Sequence, residues 1–269
     1  MEIDKNKCVG CGNCHAVCTM GVIYLDEDGK SAVNQDECVE CFTCYRVCRD
    51  ERHFPWVVRT IRKILSLFRL GYFAEVDVCP TGALTPPQLE WPRSIRAVFS
   101  DPTTTHPGTG VMGRGTDEIK TNDVTGRLRR GDAGLVIEMG RPGTGAYFRE
   151  VEKVAMALAH LKPHFEKENP VTQLMVDQET GKMKDEILNE KVLSAIIEIK
   201  TELDRIPEFL QALERVQRDV DTVISVGVAS RCLSDGSAPH EEWVRKAGYQ
   251  LSPSGKTNIG LGRPLYKEK

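Results

Sequence analysis

The chain has 269 residues, 40% of them hydrophobic and 28% charged, with a net charge of −3 and a pI near 6.1. That length exceeds what one compact core needs, so two domains are expected, and the mild acidity argues against a nucleic-acid partner. No apolar run approaches the roughly 18 residues of a membrane span, and the polar start MEIDKNKC leaves no room for a signal peptide, so a cytoplasmic protein is expected.

Cysteine is the outlier. Nine of the ten cysteines lie in the first 79 residues, and only Cys232 lies beyond. In a reducing compartment such a cluster points to metal rather than disulfides. Cys8, Cys11, Cys14 and Cys18 are spaced C-x2-C-x2-C-x3-C, and Cys38, Cys41, Cys44 and Cys48 repeat that spacing. Structural zinc uses separated C-x2-C pairs. Three thiolates at two-residue intervals instead wrap one corner of an iron–sulfur cubane, each sulfur meeting a different iron.

CVGCGNCHAVCTMGVI and CVECFTCYRVC, with CPTGAL behind them, resemble the bacterial-type ferredoxin with two [4Fe-4S] clusters, over residues 1–48 and 76–86. The resemblance implies cluster I on Cys8, Cys11 and Cys14, and cluster II on Cys38, Cys41, Cys44 and Cys18. Two candidates remain for the fourth ligand of cluster I. Spacing favours Cys48; the surrounding VCPTGAL favours Cys79, and the balance tips slightly to Cys79. The family places Pro after each remote cysteine, whereas Thr19 follows Cys18 and Arg49 follows Cys48; only Cys79 keeps its Pro80. His15, inside the first run, is expected to be a spectator.

Between the candidates lies an insertion, about 49–75, in which FPWVVRTIRKILSLFRLGYF has a helical period. Val57, Ile61, Ile64, Leu65, Phe68 and Tyr72 fall on one stripe, and Arg59, Arg62, Ser66 and Arg69 on the other. Pro55 suits the first turn and Gly71 the exit. Residues 49–75 carry six Lys/Arg against three Asp/Glu, while residues 1–48 carry four against eight. The helix therefore either packs on a second domain with its charged face solvated, docks a redox partner through basic helix 56–70, or lies on a membrane surface.

Residues 91–132 form a connecting segment rich in Gly and Arg after the Pro-rich exit TPPQLEWP. With Arg141 and Arg149 beyond it, its basic side chains Arg114, Lys120, Arg127, Arg129 and Arg130 make an anion site conceivable. A surface-hugging linker is the plainer expectation. From 133 to 232 the pattern is regular: GLVIEM, VTQLMVD, LSAIIEIKTE and TVISVGVAS as strands, AYFREVEKVAMALAHL and IPEFLQALERVQRDV as helices. That order is β-α-β-β-α-β, four antiparallel strands with two helices on one face, and by element order alone it resembles ACT-like domains. Its sheet offers a surface for homo-oligomers. Residues 233–269 form a C-terminal extension.

GRPGTG (140–145) is neither a Walker loop nor a dinucleotide fingerprint, and SGKT (254–257) lacks the Walker glycine, with Gln250 in its place. Cys232 is expected to be a buried thiol. The fold class is thus α+β: a two-[4Fe-4S] ferredoxin module at 1–90 with a helical insertion, then a split β-α-β domain. The leading function is electron transfer, as the iron–sulfur subunit of an anaerobic oxidoreductase, without catalytic residues of its own. The alternatives are a redox- or ligand-responsive regulator, and an enzyme with its site in the Gly/Arg-rich segment.

Overall fold

The structure is a computed structural model and describes residues 1–47, 53–71, 79–113 and 126–252. The first module holds β1 (Glu2–Ile3), α1 (Asn13–Ala16), β2 (Ile23–Leu25), β3 (Ser31–Val33), α2 (Thr43–Arg46), α3 (Pro55–Leu67) and β4 (Leu84–Thr85). Two antiparallel pairs frame it: β1 with β4, matching Ile3 to Leu84, and β2 with β3, matching Ile23 to Val33.

The second part begins with α4 (Ser94–Ser100) and continues through β5 (Asp132–Met139), β6 (Ala146–Tyr147), α5 (Phe148–Ala159), β7 (His164–Phe165), β8 (Met175–Asp177), β9 (Lys182–Met183), β10 (Lys191–Val192), β11 (Ala195–Glu202), α6 (Ile206–Val216), β12 (Ile224–Ser230) and α7 (His240–Lys246). Its main sheet has the order β12-β5-β11-β7, every pair antiparallel. Taken in chain order these are strands 4-1-3-2, the split β-α-β arrangement. Alternation along β5 and β11 drives the layering. Leu135, Ile137, Met139, Ile197 and Ile199 face α5 and α6, which contribute Val151, Val154, Leu158, Phe209 and Leu213 to one continuous core.

The second strand differs from the sequence expectation. VTQLMVD does not enter the main sheet. The Asn169 carboxamide oxygen accepts from the backbone N–H of Val171 at 2.9 Å and of Thr172 at 3.4 Å, which turns the chain after Phe165. Thr172–Leu174 form a 3-10 turn, and β8 pairs with β9 as a separate hairpin. The strand that completes the sheet is the two-residue β7. Two stretches expected outside the domain also feed its core. Ile95 and Phe99 of α4 and Val244 of α7 are buried in it. The 91–132 segment is therefore more than a surface linker; its residues 114–125, with Arg114 and Lys120, lie outside the described residues.

The far face of the sheet sets a small apolar cluster of Leu128, Val136 and Ile196 beside buried polar groups. Glu198 on β11 is fully buried there, taking a 3.2 Å bond from the Asn169 side chain and facing the Arg127 guanidinium at 3.7 Å, while Arg127 also pairs with Glu166 at 3.1 Å. A buried carboxylate is tolerable only when paired in this way. Arg141 pairs with Glu138 and Arg149 with Glu150, so the basic residues anticipated as an anion site are spread over separate carboxylates. Cys232 is half-buried rather than buried.

One side chain ties the two parts together. Arg96 of α4 is 4% exposed; its guanidinium donates to the carbonyls of Gln35, Asp36 and Cys38 at 3.0, 2.9 and 2.8 Å and pairs with Glu190 before β10. Arg93 adds bonds to Glu40, and Glu37 accepts from Tyr147 at 2.6 Å and pairs with Lys191. Arg96→Ala leaves three carbonyls and a carboxylate without their cation, a loss of about 3–5 kcal/mol. Denaturant unfolding followed by circular dichroism should show that drop, with Arg96→Lys recovering only part of it, because an ammonium cannot span the same set of acceptors.

Candidate metal centres

Each cysteine run turns tightly into a four-residue helix. Gly12 precedes α1 with φ of 79°, and Phe42 precedes α2 with φ of 54°. These left-handed residues bend the chain around a void, so that thiols two residues apart face one centre. Gly10 shows why a glycine stands in the first run. Its φ is +64°, and a Cβ there would lie 2.0 Å from the Gly29 carbonyl oxygen. The corresponding residue of the second run is Glu40, which adopts φ of 52° and is held by Arg93.

Two cavities result. One is lined by Cys8, Cys11, Cys14 and Cys79, with Ile3, Val9 and Leu84. The other is lined by Cys18, Cys38, Cys41 and Cys44, with Val22, Val39 and Phe42. Cys8, Cys11 and Cys14 thus share one cavity and Cys18, Cys38, Cys41 and Cys44 the other, and of the two rivals for the remaining place Cys79 lines the first. Cys48 lies outside the described residues.

A repeat not recognised in the sequence explains the placing of Cys79. CTMGVI (18–23) and CPTGAL (79–84) fold alike. In both, a glycine with positive φ, Gly21 or Gly82, bonds back to the cysteine carbonyl. In both, the N–H four residues on reaches the sulfur: Val22 to Cys18 at 3.4 Å, and Ala83 to Cys79 at 3.1 Å. The next residue, Ile23 or Leu84, then pairs with Val33 or Ile3, each five residues ahead of a run's first cysteine. Asp4 and Asn34 follow those strands, and each side chain caps the next turn. Cys79 is the internal counterpart of Cys18. The readable signal was C-x2-G-x-[IL], where cysteine spacing alone pointed to Cys48.

The donor set suits a polynuclear group. Among the described residues, no three His, Cys, Asp or Glu side chains converge closely enough to hold a single metal ion. Four thiols surround each void instead, as a cubane with an iron at each ligated corner requires. Burial, helped by the neighbouring sulfurs, pushes the Cys14 thiol up to about 11 and the Cys44 thiol up to about 12, and burial also raises Cys11 and Cys38. These thiols keep their protons at neutral pH unless a cationic core displaces them. Hydrogen bonds converge on the sulfurs as well: Ser31 N–H to Cys8 at 3.3 Å, and the Thr43 hydroxyl to Cys41 at 3.4 Å. The Ser31 hydroxyl lies 3.4 Å from the Cys14 sulfur and 3.2 Å from His15 Nε2. His15, expected as a spectator, is one hydroxyl removed from a cavity thiol.

Residues 1–49 match the 4Fe-4S dicluster domain family. The N-terminal part is therefore an iron–sulfur, ferredoxin-like region that binds 4Fe-4S clusters, and electron transfer is the function that fits it. The match ends just after Cys48 and short of Cys79, where the insertion breaks the linear pattern. No curated protein and no solved structure matches the chain.

The insertion helix α3 lies against the first cavity with Val58, Arg62 and Leu65 inward, a line between the two expected stripes rather than the apolar stripe itself. His53 N–H bonds to the Pro80 carbonyl at 2.7 Å, while Arg59 and Arg62 donate to the carbonyls of Asn6 and Gly10, both at 2.8 Å. Two of the helix arginines thus reach back to the acidic module, and of the helix residues only Val58 is buried. The helix ends earlier than expected, at Leu67, and Arg69 rather than Gly71 takes the left-handed exit, with φ of 57°; Tyr72 lies outside the described residues. Gly10→Ala should displace the loop that carries both the Arg62 acceptor and the backbone between Cys8 and Cys11. We expect a loss of about 2 kcal/mol or more in stability from the clash and the positive φ, together with faster loss of visible absorbance in air. Gly29→Ala, where a Cβ meets nothing within 4 Å, is the matched control for the cost of positive φ alone.

Proposed function

We propose that the chain is a two-cluster electron carrier, with one [4Fe-4S] cluster held by Cys8, Cys11, Cys14 and Cys79 and the other by Cys18, Cys38, Cys41 and Cys44, serving as the iron–sulfur subunit of an oxidoreductase in anaerobic metabolism. The observation that carries this reading is the pair of four-thiol cavities with exchanged fourth members. A cluster of this kind supplies one-electron transfer with the charge spread over the cube. The chain does the rest. Backbone N–H groups directed at Cys8, Cys18 and Cys79 favour the more negative reduced state, and the apolar walls exclude water. The second domain, bonded to the Cys38 carbonyl through Arg96, stands beside the second cavity. Electrons pass to a partner protein, and the outer strand β12 gives an edge through which two copies can pair.

A specific observation favours the regulatory reading in second place. A cleft of about 650 Å³ in the C-terminal domain is lined by His160, Lys162, His164 and Lys167, with Glu179 as its acid. Such a cleft suits a small anion, and saturable stabilisation of the full chain by a small carboxylate or phosphate ester would move weight to that reading.

The deciding experiment is anaerobic purification with iron and sulfide analysis. About eight of each per chain are expected from two cubanes. Cys79→Ser should lose about half of both, and Cys48→Ser should keep both; the opposite pattern would assign the first cluster to Cys48, and stoichiometric zinc without sulfide would end the ferredoxin reading.

A further inference from the structure

The strongest unassigned feature is the outward side of α3. With about 100° of turn per residue, Val58, Arg62 and Leu65 face the module, which leaves the opposite side of the helix to solvent. Leu67 is 77% exposed, Phe54 and Phe68 71% and Trp56 68%, and Ile64 and Leu70 are exposed as well. Trp56, Ile64 and Leu67 lie on that side, and Phe54, Phe68 and Leu70 are exposed at the helix ends; large apolar side chains gathered in this way mark a binding surface.

Three observations say what covers it. The first is charge: residues 53–71 contain Arg59, Arg62, Lys63 and Arg69 and no Asp or Glu. Lys63 lies along one flank of the apolar side and Arg69 stands at its end, while Arg59 and Arg62 are held by carbonyls of the module. The second is the fate of the polar groups. The two hydroxyls of the helix are bonded to its own carbonyls, Thr60 to Trp56 at 2.8 Å and Ser66 to Lys63 at 2.7 Å. The C-terminus is closed by bonds from Arg69 N–H to Ser66 and from Leu70 N–H to Leu65, at 3.1 and 3.0 Å. Apart from the cations and the indole N–H of Trp56, the helix side chains hold no further donor for a protein partner's polar rim, and hydroxyls satisfied within the helix suit contact with an apolar medium. The third is the placing of aromatics at both ends, Phe54 and Phe68 with the amphipathic Trp56, of a kind found on interfacial helices.

We propose that α3 is a monotopic membrane-binding helix that seats the chain on an anionic lipid surface. No helix among the described residues is long and apolar enough to cross a membrane, so attachment is in the plane of the interface. Apolar side chains enter the headgroup boundary while Lys63 and Arg69 reach the lipid phosphates. The cavity lined by Cys8, Cys11, Cys14 and Cys79, which α3 adjoins through Arg62 and Gly10, is thereby brought to the membrane side of the molecule. This inference does not depend on the number of clusters.

The test uses the full chain, purified anaerobically with its iron, and sedimentation with vesicles of phosphatidylcholine alone or mixed with phosphatidylglycerol. Binding is expected to the anionic vesicles, weaker at high salt, with a blue shift in tryptophan fluorescence that Trp56→Phe removes. The double variant Ile64→Glu/Leu67→Glu should bind at least about tenfold more weakly, with iron content and circular dichroism unchanged because both side chains point away from the module. No binding of the unaltered chain to anionic vesicles overturns the proposal, as does equal binding by the double variant. A dimer in sedimentation equilibrium that the double substitution converts to monomer also overturns it, and makes the face an interface between copies.

Discussion

A cube has more corners than a tight loop can reach. Thiols at two-residue intervals come around one side of a void, and the void is closed only by a sulfur arriving from elsewhere in the chain. On the proposed assignment that constraint is met by exchange. Cys18, which follows the first run, crosses to the second cavity, and Cys79, which follows the second run and its insertion, crosses to the first. The strand pairs β1–β4 and β2–β3 are the scaffold of the exchange, because each joins the approach to a run with the exit from a remote cysteine. Neither half of the module makes a complete cavity by itself.

The surroundings of the two cavities then diverge. The second is bound into the rest of the chain through Arg96, Arg93 and Glu37, whose partners lie on opposite sides of the boundary between the two parts. The first is bordered by α3, whose arginines meet backbone carbonyls of the loop beside Cys8. An internal two-fold in the fold is thus broken by what packs against it. That gives a symmetric pair of sites a distinct inner and outer member.

The sequence was most informative where chemistry constrains spacing. Six cysteines could be grouped in threes because the run C-x2-C-x2-C has few other physical uses, and the ferredoxin resemblance implied a place for Cys18 with the second three. The antiparallel sheet was legible because β5 and β11 alternate cleanly against two amphipathic helices. VTQLMVD misled because a Val/Leu/Met run reads as a strand whether or not the preceding Asn169 turns it out of the sheet. The orientation of α3 was hidden for a different reason. Hydrophobic periodicity says that a helix has two sides, but not which side its neighbour accepts; here carbonyl acceptors at Asn6 and Gly10 drew two of the arginines inward. The contribution of α4 to the core was masked by the prolines and glycines around it.

The exchange also imposes an order in time. On the proposed assignment, the second cavity draws all its thiols from residues 18 to 44, whereas the first must wait for a residue beyond the whole of α3. A chain growing from its N-terminus can finish one nest while the other still lacks its last thiol. Even for the finished chain, the wider ring carries about 1 kcal/mol more closure entropy. Maturation of such a protein is therefore sequential. Folding of α3 against the module is the step that brings residue 79 within range, so a surface element becomes the gatekeeper of the last metal to be installed.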